Sequence, residues 1–445
     1  MPDSTNSMNA VNENSTMNNN STNDNSANGN ASNANTEVTG TLRVSVVSSL
    51  GMIPVENATV TIAYEGDPEN PMETLTTDSS GQTPVISLPA PPIALSLDPD
   101  TTVQPYSEYN ITVTAEGYEP VLVSGSELLP DRLSLQPIVM NPLETSEEDE
   151  KRVIIPVHTL FGDYPPKIPE EEIKPMPETG EIVLSRVVIP EYVIVHDGVP
   201  SDSTATNYWV RYKDYIKNVA SCEIYSTWPE AAIYANILAI MSFTLNRVYT
   251  EWYRGQGYNF TITSSTAYDQ KWIYGRNIFQ NIDYLVDTIF ANYLARPGVR
   301  QPIFTSYCDG NRVTCSGLSQ WGSKYLADEG YSAIEIIRYY FGNDMYIATA
   351  DMISGVPSSY PGYDLNIGAS GDKVRQLQLQ LNRIARNYPA IPTLTPDGIY
   401  GPATAESVRI FQGIFGLPQT GVTDYATWYE ISDIYVGVTR ISEPG

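Results

Sequence analysis

Cysteine and histidine are scarce in this chain of 445 residues, which has 3 cysteines and 2 histidines. Three cysteines are too few for a disulfide-rich scaffold, and their odd number leaves at least one thiol without an intramolecular partner. The histidines, His158 and His196, lie outside the most distinctive motifs. A mechanism of the Ser-His-Asp or Cys-His type therefore has little support in the sequence.

Positive charge is also in short supply, because 25 lysines and arginines stand against 52 aspartates and glutamates, for a formal net charge of −27. Nucleic acids and anionic membranes repel a chain of this charge, so we expect neither to be its main partner. The 31 tyrosines and 6 tryptophans can instead stack on and hydrogen-bond to a polymer. Any single one of these aromatic residues is more often part of a core.

Long apolar runs are absent as well. The run ILAIM at 237–241 is far shorter than the roughly 20 residues that cross a bilayer, so we predict no membrane-spanning helix. Residues 1–36 are rich in Asn and Ser and lack the basic start and apolar centre of an export signal. This tract has almost nothing to bury and is predicted to be disordered. The route of export stays open.

The most distinctive stretch runs from Tyr215 to Trp252. Its segment TWPE, from Thr227 to Glu230, has the form of a capping box, in which the glutamate bonds back to the threonine. Apolar residues then recur at helical spacing and leave little of the helix to face water. We predict a long central core helix that begins near Trp228.

Glu223 precedes this helix and has no capping role. Its neighbours Val219, Ala220, Ile224 and Tyr225 are apolar or aromatic. A carboxyl group in such surroundings has a raised pKa, as a general acid near neutral pH requires. The structural alternative is a glutamate that accepts hydrogen bonds from backbone amides or pairs with a nearby cation.

Cys308 and Cys315 enclose the six residues DGNRVT. This spacing allows a small disulfide loop or two sulfur ligands for zinc, although it is looser than the usual spacing of structural zinc sites. We expect that no cofactor is required, with zinc at this pair as the alternative to a disulfide.

The patterns along the chain predict a multidomain protein with an N-terminal all-β sandwich, a central α+β domain and a C-terminal all-α domain of three helices. The Pro- and Glu-rich stretch before the central domain has the composition of an extended, charged linker. The predicted order is a disordered tail (1–36), the β-sandwich (37–142), the linker (143–184), the α+β domain (185–350), a second linker (351–364) and the three-helix domain (365–445).

The strands of the first domain carry the segments PVENATVTI, TDSSGQT and YNITVTAEGYEPV. In this order they resemble the prealbumin-like or carboxypeptidase-regulatory type of β-sandwich. Modules of this family space or adhere and have no chemistry of their own. The resemblance implies a surface through which the chain contacts other wall or spore proteins.

The central domain carries TWPEAAIYANILAIMSFTLNRVY, then YDQKWIYG, then GLSQWGSKYLADEGYSAIEIIRYYF. Over roughly residues 185–350 this order resembles the stage II sporulation protein D / LytB-type domain. The resemblance implies a lytic transglycosylase that cleaves the glycan strands of peptidoglycan in the cell envelope or spore of a spore-forming bacterium. It places the family's catalytic glutamate on Glu223. Thr314 stands where the family has a histidine, and Met241 stands where it has an arginine.

The same resemblance places substrate contacts on Ser319, Gln320 and Trp321, which lie in its most specific motif, Ser-Gln-Trp-Gly. Asp269 and Asp309 are further carboxylates that we expect to line the cleft, although aspartates in loops usually form turns. A single carboxyl group suits this reaction. It can protonate the leaving glycosidic oxygen and then accept the proton of the sugar's own 6-hydroxyl group.

The C-terminal domain carries helical apolar stripes separated by the turn DGIYGPAT and closes on TW. This pattern resembles the three-helix peptidoglycan-binding domain almost throughout. We expect contacts with peptidoglycan from Asp397, Tyr400, Gln412 and Trp428, with a core role as the alternative for Trp428.

Both resemblances point to peptidoglycan. The sequence predicts a peptidoglycan-binding protein of the cell wall or spore cortex that cleaves glycan strands with Glu223 as its acid and base. The alternative is a structural wall- or spore-binding protein whose central domain has kept the fold and lost catalysis. The retained Glu223 favours the enzyme, whereas Thr314 and Met241 favour the binding protein.

Overall fold

The structure is a computed structural model that describes residues 38–143, 150–175, 186–350, 352–356 and 358–439. The predicted disordered tail and parts of the two predicted linkers lie outside the described residues. The described residues, from Val38 onward, belong to one compact unit. Where the individual domains begin and end within it stays a prediction.

The N-terminal region is rich in β structure, as the alternating sequence predicts. Its strands are β1 (Thr39–Ser48), β2 (Thr59–Tyr64), β3 (Pro71–Thr76), β4 (Ile86–Pro89), β5 (Ser107–Thr114), β6 (Val121–Leu128), β7 (Leu133–Met140) and β8 (Lys151–Ile154). One sheet contains β4, β1 and β7, and the other has the order β3-β2-β5-β6-β8. Every second residue of β1 is buried, because successive side chains of a strand point to opposite faces. The buried side chains of both sheets form one apolar core.

The central region is mixed α/β. Its strands are β9 (Val188–Ile189), β10 (Tyr192–His196), β11 (Asn207–Arg211), β12 (Ile262–Thr263), β13 (Ile278–Phe279), β14 (Asn292–Ala295), β15 (Tyr307–Cys308), β16 (Leu318–Ser319), β17 (Tyr346–Thr349) and β18 (Met352–Ile353). Its helices are α1 (Tyr212–Glu223), α2 (Glu230–Tyr249), α3 (Gln280–Ile289), α4 (Gln320–Asp328) and α5 (Ala333–Phe341).

Helix α2 is the predicted central core helix. It has the length and hydropathy of a membrane span, but 83% of its most apolar window is buried within the protein. The protein around it therefore already covers its apolar surface.

The capping-box prediction at the start of α2 is wrong. The helix begins at Glu230, close to the predicted start near Trp228, but no side chain caps it. The hydroxyl group of Thr227 lies 2.8 Å from that of Ser96, in the N-terminal region. The hydroxyl group of Thr227 therefore makes a long-range contact instead of capping the helix.

The N-terminal and central regions share hydrogen bonds and a buried ion pair. Strand β13 pairs antiparallel with β7 and so extends an N-terminal sheet. Beside this pairing, the guanidinium group of Arg276 lies 2.6 Å from the carboxylate of Glu127, and both side chains are buried. Strand pairing and an ion pair thus join the N-terminal and central regions along this edge.

The C-terminal region is helical, with α6 (Asp372–Ile384), α7 (Pro402–Ile414) and α8 (Tyr425–Thr439). Its predicted apolar stripes are buried. The ammonium group of Lys213 on α1 contacts Glu430 at 2.7 Å and Asp433 at 2.6 Å on α8. These ion pairs hold α8 against the central region.

Residues 156–175, which we call the strap, contain no helix or strand. The sequence predicts an extended linker here, yet this described part of it is bound along the central region. Glu170 pairs with Arg247, and Glu172 pairs with Arg296. The acidic composition indicated a linker. At Glu170 and Glu172, however, the acidic side chains form specific ion pairs.

Candidate functional site

Glu223 is the last residue of α1, and its side chain is fully buried. Its Oε1 accepts a hydrogen bond from the backbone N–H of Lys271 at 2.7 Å. Its Oε2 accepts a hydrogen bond from the hydroxyl group of Tyr307 on β15. The structure therefore holds both oxygens of the carboxyl group in fixed positions.

Burial raises the pKa of Glu223 above its ordinary value. The charge of Lys167 and the hydrogen bonds from Lys271 and Tyr307 oppose this rise without cancelling it. A position at the C-terminal end of a helix is also unfavourable for an anion, because the helix dipole is negative there. The raised pKa favours the protonated form of the carboxyl group, which is the form that a general acid requires.

The strap closes the site. Burial and the nearby charge of Glu223 raise the pKa of Tyr164, whose buried hydroxyl group has no hydrogen-bond partner among the described residues. The ammonium group of Lys167 lies 4.4 Å from the centre of the Tyr307 ring. Glu223 lines none of four cavities in the described part of the chain. The carboxyl group of Glu223 is therefore closed off from solvent, with Tyr164 and Lys167 of the strap beside it.

Asp269 is buried close to this site and has a full set of partners. Its Oδ1 accepts a hydrogen bond from Nε of Arg247 at 2.7 Å. Its Oδ2 accepts hydrogen bonds from the hydroxyl groups of Tyr253 and Thr263, both at 2.6 Å. These hydrogen bonds and the ion pair indicate a structural role for the carboxylate of Asp269. Its role as a substrate contact stays a prediction.

Arg247 is the functional candidate that sequence reasoning missed. It lies on α2, is almost fully buried, and contacts Asp269 on one side and Glu170 of the strap on the other. The sequence did not single it out, and the family resemblance placed the arginine position on Met241. A charged residue inside an otherwise apolar helix was the available signal.

The Ser-Gln-Trp motif forms the start of α4. Ser319 caps the helix, because its Oγ accepts a hydrogen bond from the backbone N–H of Gly322 at 2.9 Å. Gln320 is fully buried, and its side-chain amide has no hydrogen-bond partner among the described residues. Trp321 packs on Trp228, with 4.8 Å between the ring centres. Helix capping and packing therefore account for two of the three residues.

Cys308 and Cys315 form a disulfide bond. The alternative of zinc at this pair is wrong, because the sulfur atoms are bonded to each other. Within the described residues, moreover, no three His, Cys, Asp or Glu side chains cluster in a way that could hold a metal ion. The carboxylate of Asp309 accepts hydrogen bonds from the backbone N–H groups of Arg312 and Val313, both at 3.0 Å, and so shapes the closed loop.

The four residues predicted to contact peptidoglycan do not form one exposed surface. Asp397 is exposed, and its Oδ1 accepts a hydrogen bond from the backbone of Ile399 at 2.8 Å. The other three, Tyr400, Gln412 and Trp428, are buried and hydrogen-bonded to neighbouring groups. Their positions favour roles in the core, and contact with peptidoglycan stays a prediction.

Comparison with known families identifies the C-terminal region. Residues 370–431 match the family model of a peptidoglycan-binding domain. The chain is also 43% identical, over 68 residues, to the zinc D-Ala-D-Ala carboxypeptidase of Streptomyces albus G. That alignment covers 15% of this chain and 25% of the carboxypeptidase, so the chain spans about a quarter of this relative.

Solved structures offer only distant likenesses. The TIE protein of Bacillus anthracis is 12% identical, with a TM-score of 0.18, over 24% of this chain and 17% of that one. The minor pilin GBS52 of Streptococcus agalactiae is 16% identical, with a TM-score of 0.17, over 25% of this chain and 48% of that one. At these TM-scores neither likeness bears on function.

Proposed function

We propose that this chain is a peptidoglycan-binding protein of the cell wall or spore cortex whose central domain cleaves glycan strands as a lytic transglycosylase. The match of residues 370–431 to a peptidoglycan-binding domain supports the wall-binding part. The buried, hydrogen-bonded carboxyl group of Glu223, with its raised pKa, supports the catalytic part.

In the proposed reaction, protonated Glu223 donates its proton to the glycosidic oxygen as the bond to the anomeric carbon breaks. The resulting carboxylate then accepts the proton of the 6-hydroxyl group of the same sugar, whose oxygen attacks the anomeric carbon. The products are a shortened strand and a sugar with an internal 1,6-anhydro bond. The hydrogen bonds from Tyr307 and Lys271 fix the direction in which the carboxyl group faces.

The second candidate is a structural wall- or spore-binding protein without catalysis. The full burial of Glu223 beneath the strap favours this alternative, because a buried carboxyl group with satisfied oxygens is also a stable structural element. Both candidates bind peptidoglycan, so only product formation distinguishes them.

The test incubates the full chain, as wild type and as Glu223→Gln, with intact and with peptide-stripped peptidoglycan. Soluble products are then examined by mass spectrometry, and binding is measured by co-sedimentation with the wall. Anhydro sugars that appear with wild type and disappear with the variant establish the enzyme. Glu230→Gln is the matched control, because Glu230 is an exposed glutamate only seven positions away. Co-sedimentation of both proteins without any soluble product establishes the binding protein.

A further inference from the structure

Between Pro165 and Pro175 the strap is held mainly by polar contacts, and two of its acidic side chains form ion pairs. Nη1 and Nη2 of Arg247 donate to the carboxylate of Glu170 at 2.8 and 2.6 Å. Nη2 of Arg296 donates to the carboxylate of Glu172 at 3.1 Å. Arginine pairs with carboxylates in this forked geometry wherever planar, specific recognition is required. The central region thus presents two arginines spaced to hold two carboxylates of one extended chain.

The backbone of the strap is also bound as a ligand would be. The side-chain amide of Gln301 accepts a hydrogen bond from the N–H of Lys174 at 3.0 Å and donates one to its C=O at 2.9 Å. The N–H of Phe304 donates to the C=O of Glu172 at 3.0 Å. Amide groups of this kind bond equally well to the hydroxyl and acetamido groups of a sugar chain.

Aromatic rings form the floor beneath the strap. The ammonium group of Lys174 lies 3.6 Å from the centre of the Phe304 ring, and that of Lys167 lies over Tyr307. The rings of Phe243 and Phe304 pack together, with 4.4 Å between their centres. Tyr307 belongs both to this floor and to the hydrogen bond with Glu223. The aromatic floor beneath the strap is therefore in direct contact with the candidate catalytic residue.

The strap is suited to leave this groove. It contains no helix or strand, and its prolines, such as Pro165, Pro166 and Pro169, prevent it from forming either. The apolar side chains of Ile168 and Ile173 are exposed rather than buried against the groove. Residues 156–164 are anchored by buried side chains such as Leu160 and Tyr164. Displacement therefore concerns residues 165–175, whose release would break mainly polar contacts that an incoming acidic ligand can replace.

We propose that the strap occupies a binding groove for an anionic glycan strand, and that such a strand displaces it. In this arrangement Glu170 and Glu172 take the places of carboxylates on the glycan, at Arg247 and Arg296. This inference rests on the proposed function, because it takes peptidoglycan to be the polymer. Displacement would give the strand access to Glu223, so binding and exposure of the carboxyl group would occur together.

The test measures amide hydrogen exchange across the full chain, with two soluble probes. The first is peptide-stripped peptidoglycan strands, which carry a carboxylate on every second sugar. The second is chitin oligosaccharides of similar length, which have a related sugar backbone without that carboxylate. We expect the acidic strands to accelerate exchange in the strap about tenfold while exchange in β1 stays unchanged, and the chitin oligosaccharides to have no effect.

Variants test the same contacts without a ligand. The double variant Glu170→Gln/Glu172→Gln should accelerate exchange in the strap and around Glu223 about tenfold. Glu171→Gln, at an exposed position between the two, is the matched control and should have no effect. A melting temperature close to that of wild type shows that the double variant remains folded.

Each outcome has a separate meaning. If the chain co-sediments with peptidoglycan but neither the strands nor the double variant changes exchange in the strap, the strap is a permanent part of the fold and the inference is wrong. If chitin oligosaccharides act as well as the acidic strands, recognition of carboxylates is wrong. Failure to co-sediment at all overturns the proposed function, and this inference with it.

Discussion

Tyr307 donates a hydrogen bond to Glu223, and its ring lies 4.4 Å below the ammonium group of Lys167. One side chain therefore connects the buried carboxyl group to the strap that covers it. Any movement of the strap changes the surroundings of Tyr307, and through it those of Glu223. The predictions below concern this connection first and then the contacts that support it.

Replacement of Tyr307 by Phe should raise the pKa of Glu223 further, because the lost hydroxyl group is one of the contacts that lower it. It also leaves a buried carboxyl oxygen without its partner, which should reduce the free energy of unfolding by about 1–3 kcal/mol. Urea denaturation measures this loss. Tyr325→Phe is the matched control, because Tyr325 is 45% exposed, and its change should be close to zero. An equal loss in both variants would contradict the prediction.

The raised pKa of Glu223 also predicts how stability depends on pH. Since the folded protein binds this proton more tightly than the unfolded chain, the contribution of Glu223 to stability is greatest below its ordinary pKa and declines as pH rises through the raised value. Glu223→Gln removes the titration. The melting temperature of wild type should therefore fall relative to that of the variant as pH rises above about 4.5. Parallel curves for the two proteins over this range would show that Glu223 does not titrate there.

The sequence predicts the regular elements well where one local signal dominates. The apolar spacing around α2 indicates a core helix, and Gly330 and Gly342, which can end a helix, lie within two residues of the observed ends of α4 and α5. The segment IDYLVDTIFANYLA (282–295), by contrast, has helical spacing throughout, yet α3 ends at Ile289 and the last four residues of the segment form β14. Strand β14 pairs with β17, which is more than 50 residues later in the chain. The spacing of apolar residues within one segment carries no information about a partner strand so far away in the sequence.

The candidate site was predictable only in part, for the same reason. Apolar neighbours in the sequence indicate that Glu223 is buried, and the structure bears this out. The partners of Glu223 come from distant positions, at Lys271 and Tyr307, so local patterns do not reveal them. The contacts of the strap were the hardest part to predict. Composition shows that Glu170 and Glu172 are charged, but it does not show that they pair with Arg247 and Arg296.

The ion pair between Glu127 and Arg276 should be important for joining the N-terminal and central regions. Both side chains are buried, so Glu127→Ala leaves an uncompensated charge and should cost about 3–5 kcal/mol. The double variant Glu127→Leu/Arg276→Leu removes both charges and should cost less than the single one. Urea denaturation of the full chain measures both losses. If the double variant were less stable than the single one, the attraction between the two charges would itself stabilise the protein, and the prediction would be wrong.

The disulfide between Cys308 and Cys315 closes a short loop, and its loss should reduce stability by about 2–3 kcal/mol. Thermal denaturation of Cys308→Ser/Cys315→Ser, compared with wild type with and without a reducing agent, measures this effect. Cys222 is the control, because its buried thiol is free and Cys222→Ser leaves the disulfide intact. The reducing agent should therefore destabilise wild type and Cys222→Ser alike but leave the double variant unchanged.

Trp428 is buried, and a substitution there can show whether it is a core residue or contacts peptidoglycan. Its indole Nε1–H donates to the C=O of Ser358 at 3.1 Å, so Trp428→Phe should lose this bond and some packing, at a cost of about 1–3 kcal/mol. If Trp428 is a core residue, the folded variant should co-sediment with peptidoglycan as wild type does, at a temperature well below its melting point. Asp397→Asn, at an exposed position, should weaken co-sedimentation without a comparable loss of stability if Asp397 contacts the polymer. Loss of binding by folded Trp428→Phe would instead assign the tryptophan to the binding surface, and would require the C-terminal helices to open when peptidoglycan binds.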